Sequence, residues 1–152
     1  MVDLESRFEL EGEKRRRIDI TCSFEGRNAK CAIELKFKTK KQSAQDHGRI
    51  DCFVDLQNLE LATRHDYQFG WFFMITDSTV YVNESNRGVG TVFTMHDGAT
   101  TSENQLFHCP NSKGREDVKV QLKNAYTFKW ERSGDWYFLA VPIPKTELQK
   151  TK

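Results

Sequence analysis

Two alternating runs on either side of a short turn constrain this chain more than any other feature. Ile18, Ile20, Cys22 and Phe24 fall at every second position, with Arg17, Asp19, Thr21 and Ser23 between them. After Glu25-Gly26-Arg27-Asn28, the residues Cys31, Ile33, Leu35 and Phe37 alternate with Ala32, Glu34, Lys36 and Lys38. A period of two is that of a β-strand. Gly and Asn supply the turn, so the segment predicts a β-hairpin. Its apolar faces must coincide, because a one-residue slip would send one of them to the wrong side. That register sets Phe24 opposite Ala29, Cys22 opposite Cys31, Ile20 opposite Ile33 and Ile18 opposite Leu35. On the other face it sets Asp19 opposite Glu34 and Arg17 opposite Lys36.

Two carboxylates placed opposite each other repel, since their Cβ atoms stand about 4.5–5.5 Å apart. A cation between them would remove the repulsion. Oxygen ligands suit a hard ion such as Mg²⁺ or Mn²⁺. A lysine beside such a site can orient or activate water, or stabilise charge on a phosphate. Strands would hold the three groups rigidly.

The rest of the chain sets the hairpin in a larger fold. Residues 42–65 switch to a helical period, with Ile50, Cys52, Phe53, Leu56, Leu59 and Leu61 on one stripe and Gly48 near its start. The continuous apolar run Gly70–Thr76 predicts a strand buried on both faces. Strand, helix, buried strand is the βαβ order. Residues 83–118 read as turns and loops around a short strand near Thr91–Met95. Alternation returns at Tyr126–Trp130, then a turn at Ser133-Gly134-Asp135 and an apolar strand over Trp136–Ile143, stopped by Pro142 and Pro144. Residues 1–16 are charged and weakly patterned. The expected class is α/β (α+β): a mixed central β-sheet flanked by helices.

The 152 residues fit a single domain, 1–152, with a frayed polar tail over 145–152. A formal net charge of +1 gives no global attraction to nucleic acid, so any such attraction must be local. No run reaches the roughly 20 apolar residues of a membrane span, and the start lacks the pattern of a signal peptide. A cytoplasmic protein, away from membranes, is expected. Cys22, Cys31, Cys52 and Cys109 show no metal spacing and read as free thiols. His47, His65, His96 and His108 read as loop or surface residues.

The segments Arg17-Ile18-Asp19-Ile20 and Ala32-Ile33-Glu34-Leu35-Lys36-Phe37 resemble the PD-(D/E)XK nuclease superfamily, the restriction-endonuclease-like fold. An Asp on one strand, followed by Glu-x-Lys on the next, is that family's signature. The helix, the buried strand and Asp77-Ser78-Thr79-Val80-Tyr81, read as a loop and short strand, extend the likeness over about residues 15–82. Ile18 stands where the motif's proline would be. The residues before the Asp strand do not read as the helix many members carry. That helix would lie outside the chain, come from a partner or be lacking, with Glu5, Glu9, Glu11 and Glu13 as the nearby acids.

The resemblance implies a Mg²⁺- or Mn²⁺-dependent endonuclease acting on DNA, less often RNA, in a family whose members often pair two chains. Asp19 and Glu34 would bind the metal with the main-chain carbonyl of Leu35, and Lys36 would position or activate water. Gln45 and Arg49, at the start of the helix, would be accessory residues near metal or phosphate. Asp51 and Asp55 read as surface. Arg15, Arg16, Arg17, Lys38, Lys40 and Lys41 would form a basic patch for the nucleic-acid backbone. A different class also fits: a catalytically silent nucleic-acid- or protein-binding module of the same fold, or a regulatory piece of a larger assembly.

Overall fold

The computed structural model describes residues 1–8, 16–42 and 44–146. It opens on a strand, β1 (Val2–Phe8), where no element was expected. Val2, Leu4 and Phe8 alternate with Asp3, Glu5 and Arg7, the same period that identified the hairpin, masked by charge density. β1 pairs antiparallel with β2 (Arg16–Phe24), which pairs antiparallel with β3 (Ala29–Lys38). The expected register holds over Phe24–Ala29, Cys22–Cys31 and Ile20–Ile33. Below that the expected facing breaks: Ile18 is fully buried, whereas Leu35, its expected partner, is 47 % exposed.

The 21-residue helix α1 (Gln45–His65) then crosses to β4 (Phe69–Thr76), which lies parallel to β3. This is the expected βαβ unit. A short helix α2 (Thr79–Val82) replaces the expected loop and strand, because Thr79–Val82 closes a single turn with Asn83 N–H bonded to the Thr79 carbonyl. Gly88–Thr91 forms a 3₁₀ turn, and no strand forms at 91–95, where Phe93 and Met95 instead plug the core. β5 (Gln105–His108) and β6 (Lys119–Leu122) make a separate two-stranded sheet. Only the end of the expected strand at 126–130 joins the main sheet, as β7 (Trp130–Ser133), followed by β8 (Trp136–Ile143). β8 runs through Pro142, which pairs with Trp71 of β4 on one side but has no strand on the other, since β7 ends its pairing with β8 at Leu139.

The result is a mixed α+β protein with a six-stranded mixed sheet in the order β1-β2-β3-β4-β8-β7 and few helices. α1 covers one face of that sheet. Its Phe53, Leu56 and Leu59 are fully buried against Phe72 and Met74 of β4 and Leu139 and Val141 of β8. Phe53 also meets the rings of Phe93, Phe107 and Phe128 at 4.8–5.7 Å between centroids. Residues 83–128 therefore form a third layer over the helix. Buried Glu60 fastens that layer, accepting from the N–H groups of Lys123 (2.7 Å) and Asn124 (2.8 Å) and from the Tyr126 hydroxyl (2.7 Å). Gly48 sits inside the uninterrupted α1, where a Cβ would run into the Tyr81 hydroxyl.

Two further expectations change. β4 is buried on one face only: Gly70, Phe72, Met74 and Thr76 lie under α1, while Ile75 is 36 % exposed on the other side. No element among the described residues covers that second face. The expected frayed tail is tied down at its start. Lys145 Nζ donates to the Tyr67 carbonyl (3.1 Å), and Thr146 is buried beside Thr63 (3.1 Å). Residues 147–152 lie outside the described residues. No helix among the described residues is long and apolar enough to cross a membrane.

Candidate active site

β3 faces the helix with its polar side chains. Ala32, Glu34 and Lys36 share the α1 side with Gly70, Phe72 and Met74 of β4, through a parallel register that pairs them in that order. The charged face of the hairpin is thus the buried one, and its apolar face is the open one. β4 and α1 decide this, because the large apolar groups of the helix and of β8 outweigh the hairpin's own pattern.

The β2–β3 ladder ends at Ile20–Ile33, so Asp19 and Glu34 stand just beyond its last pair. The Asp19 carboxylate takes the place of a strand carbonyl, accepting from the Leu35 N–H at 2.8 Å. It also shares a side-chain hydrogen bond with Glu34. Glu34 is 5 % exposed, and its carboxyl is pushed up to about 9. Burial is the main cause, followed by the like charges of Asp55 and Asp19 and the Asp19 hydrogen bond; Lys36 offsets part of it. The structure therefore brings Asp19, Glu34 and the Leu35 main chain together, as expected, although the contact seen at Leu35 uses its N–H.

Lys36 turns to α1 and forms an ion pair with Asp55 Oδ2 at 2.7 Å. Burial alone would lower its pKa, but the charge and hydrogen bond of Asp55 hold it above the ordinary lysine value. Lys36 is therefore a cation at neutral pH, suited to orienting a water or a phosphate oxygen rather than accepting a proton. Asp55 itself is raised by burial, against the lowering effect of Lys36.

Sequence reasoning missed Asp55 by reading it as surface. It lies one turn from Cys52 and next to Leu56, on the flank of the apolar stripe, and that spacing could have placed it facing the sheet. Asp51 pairs instead with Arg115 Nε at 3.3 Å.

The accessory and basic residues separate. Arg49 is 1 % exposed, its guanidinium bonded to the Val80 carbonyl and Ser85 Oγ and lying over the Tyr81 ring at 5.6 Å. It ties α2 and Ser85 to the start of α1 from a buried position. Gln45 lines a polar cleft of about 650 Å³ between the start of α1 and residues 79–88. Within the basic run Arg16 and Arg17 part, because neighbouring residues in a strand point to opposite faces. Arg16 bonds Asn58 on α1, while Arg17 reaches Glu5 of β1 at 3.6 Å. Lys40 and Lys41 follow β3, where the Lys40 N–H donates to Asp77 Oδ1 at 2.6 Å. Arg15, Glu9, Glu11 and Glu13 lie outside the described residues.

Two neighbouring carboxyls, one of them raised chiefly by burial and by the charges of Asp55 and Asp19, would be relieved by a divalent cation. Among the described residues, no group of three or more His, Cys, Asp or Glu side chains converges closely enough to hold a metal. The remaining ligands would have to be main-chain carbonyl, water or substrate oxygens. Compared with protein families, curated proteins and solved structures, the chain shows no match, so the nuclease resemblance rests on its own residues.

Proposed function

We propose that this chain is a Mg²⁺- or Mn²⁺-dependent nuclease with a restriction-endonuclease-like core, acting on DNA in preference to RNA. The observation that carries the reading is the contact between Asp19 and buried Glu34, with Glu34 raised to about 9. Burying a carboxylate beside another is costly unless a cation compensates it. In this reading Asp19 and Glu34 hold the ion with the Leu35 carbonyl, and the ion supplies charge stabilisation at the scissile phosphate. Lys36, kept cationic by Asp55, positions the attacking water or a phosphate oxygen. Four free thiols suit a reducing, cytoplasmic setting.

The test is cleavage of plasmid DNA with Mg²⁺ or Mn²⁺ by the parent, Glu34→Gln and Lys36→Ala. Cleavage by the parent, lost by at least about 100-fold in both variants, supports the proposal. No cleavage by the parent with either ion contradicts it. The binding-module reading is favoured by one observation, the uncovered apolar sheet face, which suits a piece of a larger assembly. DNA bound but uncut by all three proteins would support that reading.

A further inference from the structure

The sheet face opposite α1 is apolar and continuous, and no element among the described residues covers it. Hydrogen-bonded registers carry rows straight across it: Leu4, Ile20, Ile33 and Trp71 in one row, and Phe37, Ile75 and Phe138 in another. Leu4 is 73 % exposed, Phe37 57 % and Phe138 38 %. Single exposed apolar residues are ordinary, but a contiguous apolar face of this kind marks an interaction surface.

We infer that this face pairs with the same face of a second copy of the chain, forming a two-fold sheet-on-sheet dimer. Three observations favour a second copy. The first is extent. Each strand residue covers about 16 Å² of a sheet face, so six strands present about 700 Å², near the about 800 Å² per partner of a standard interface. The second is charge. The concavity on this face is lined by Leu35, Phe73, Ile75 and Phe138, and among the described residues its charged members are Lys129 and Glu131. Opposite charges two residues apart on one rim are self-complementary under a two-fold axis, with Lys129 of one copy meeting Glu131 of the other. The third is that a net charge of +1 gives two copies little reason to repel. Packed sheets about 10 Å apart would interlock these side chains. The Asp19–Glu34 site lies on the α1 side, so the two candidate sites face outward, away from each other. This pairing does not set two sites on one duplex, and it stands whether or not the chain cleaves nucleic acid.

Sedimentation of the full chain from about 1 to about 100 µM tests the dimer, with circular dichroism confirming that each variant is folded. The parent should form a discrete dimer. Phe138→Lys should weaken it by about 100-fold or more. Lys129→Glu, which keeps every apolar side chain, should weaken it several-fold, and Lys129→Glu combined with Glu131→Lys should restore it. A parent monomeric at about 100 µM would overturn the inference, as would open-ended aggregation or a dimer indifferent to Phe138→Lys. Binding of neutral lipid vesicles by a monomeric parent would overturn it too, and would name a membrane as the occupant.

Discussion

The two faces of the six-stranded sheet invert the usual distribution of side chains. At β3 the covered face holds Glu34, Lys36 and their partner Asp55, while the open face holds Leu35 and Phe37. A strand serving only stability would be the other way round, because charges are costly to bury and apolar surface is costly to expose. The inversion is accounted for if, as proposed, the covered face serves chemistry and the open one a second copy, since neither arrangement stabilises the lone chain.

The largest expected effect separates the faces by packing. Phe53→Ala, beneath α1 where the rings of Phe93, Phe107 and Phe128 converge, should cost about 3–5 kcal/mol in denaturant unfolding. Leu35→Ala on the open face should cost under about 1 kcal/mol in the monomer, because little apolar area leaves the interior. Equal costs would erase the distinction.

Next comes the buried ion pair. Asp55→Ala leaves the Lys36 ammonium without its partner and should cost about 2–4 kcal/mol. Arg17→Ala, removing the exposed pair with Glu5, should change stability by no more than about 0.5 kcal/mol. Activity should drop with Asp55→Ala at saturating substrate, since Lys36 loses its fixed position.

A smaller effect tests the close approach at the start of α1. Gly48→Ala should destabilise by about 1–3 kcal/mol, because the new methyl meets the Tyr81 hydroxyl. Adding Tyr81→Phe should recover part of that loss, and a cycle with no coupling would reject the clash.

Much of this architecture was legible in the sequence, and what was not has physical causes. The upper hairpin register and α1 followed from periodicity, and β4 and β8 from continuous apolar runs bounded by turn residues or proline. The side of the hairpin that would be buried did not follow. It depends on Phe53, Leu56 and Leu139, distant in sequence from Glu34, and tertiary packing overrode the local pattern. Asp19, Glu34 and Lys36 were found by motif and register. Asp55 was missed because an acid on a helix is usually solvated. Arg16 and Arg17 take separate partners because like charges side by side on a strand split between two faces. The layer formed by residues 83–128 carries its information in isolated anchors, such as Phe93 and Phe107, which have no period to read.

The central claim is that Asp19 and Glu34 together hold a divalent cation, and the pH dependence of melting tests it most directly. Glu34 ordinarily titrates at 4.5 and is raised to about 9 in the folded chain. Between those values the folded state keeps a proton that the unfolded state has lost, so this group's contribution to stability falls as pH rises. A bound cation requires the ionised carboxylate and stabilises the folded state by mass action, so it should reverse that trend. The Tm difference between parent and Glu34→Gln, followed from pH 5 to 9 with and without Mn²⁺, isolates the residue. The parent should lose ground to Glu34→Gln as pH rises without metal, and regain it with Mn²⁺, most strongly toward pH 9. A Tm that Mn²⁺ leaves unchanged at every pH, in parent and variant alike, would contradict the claim.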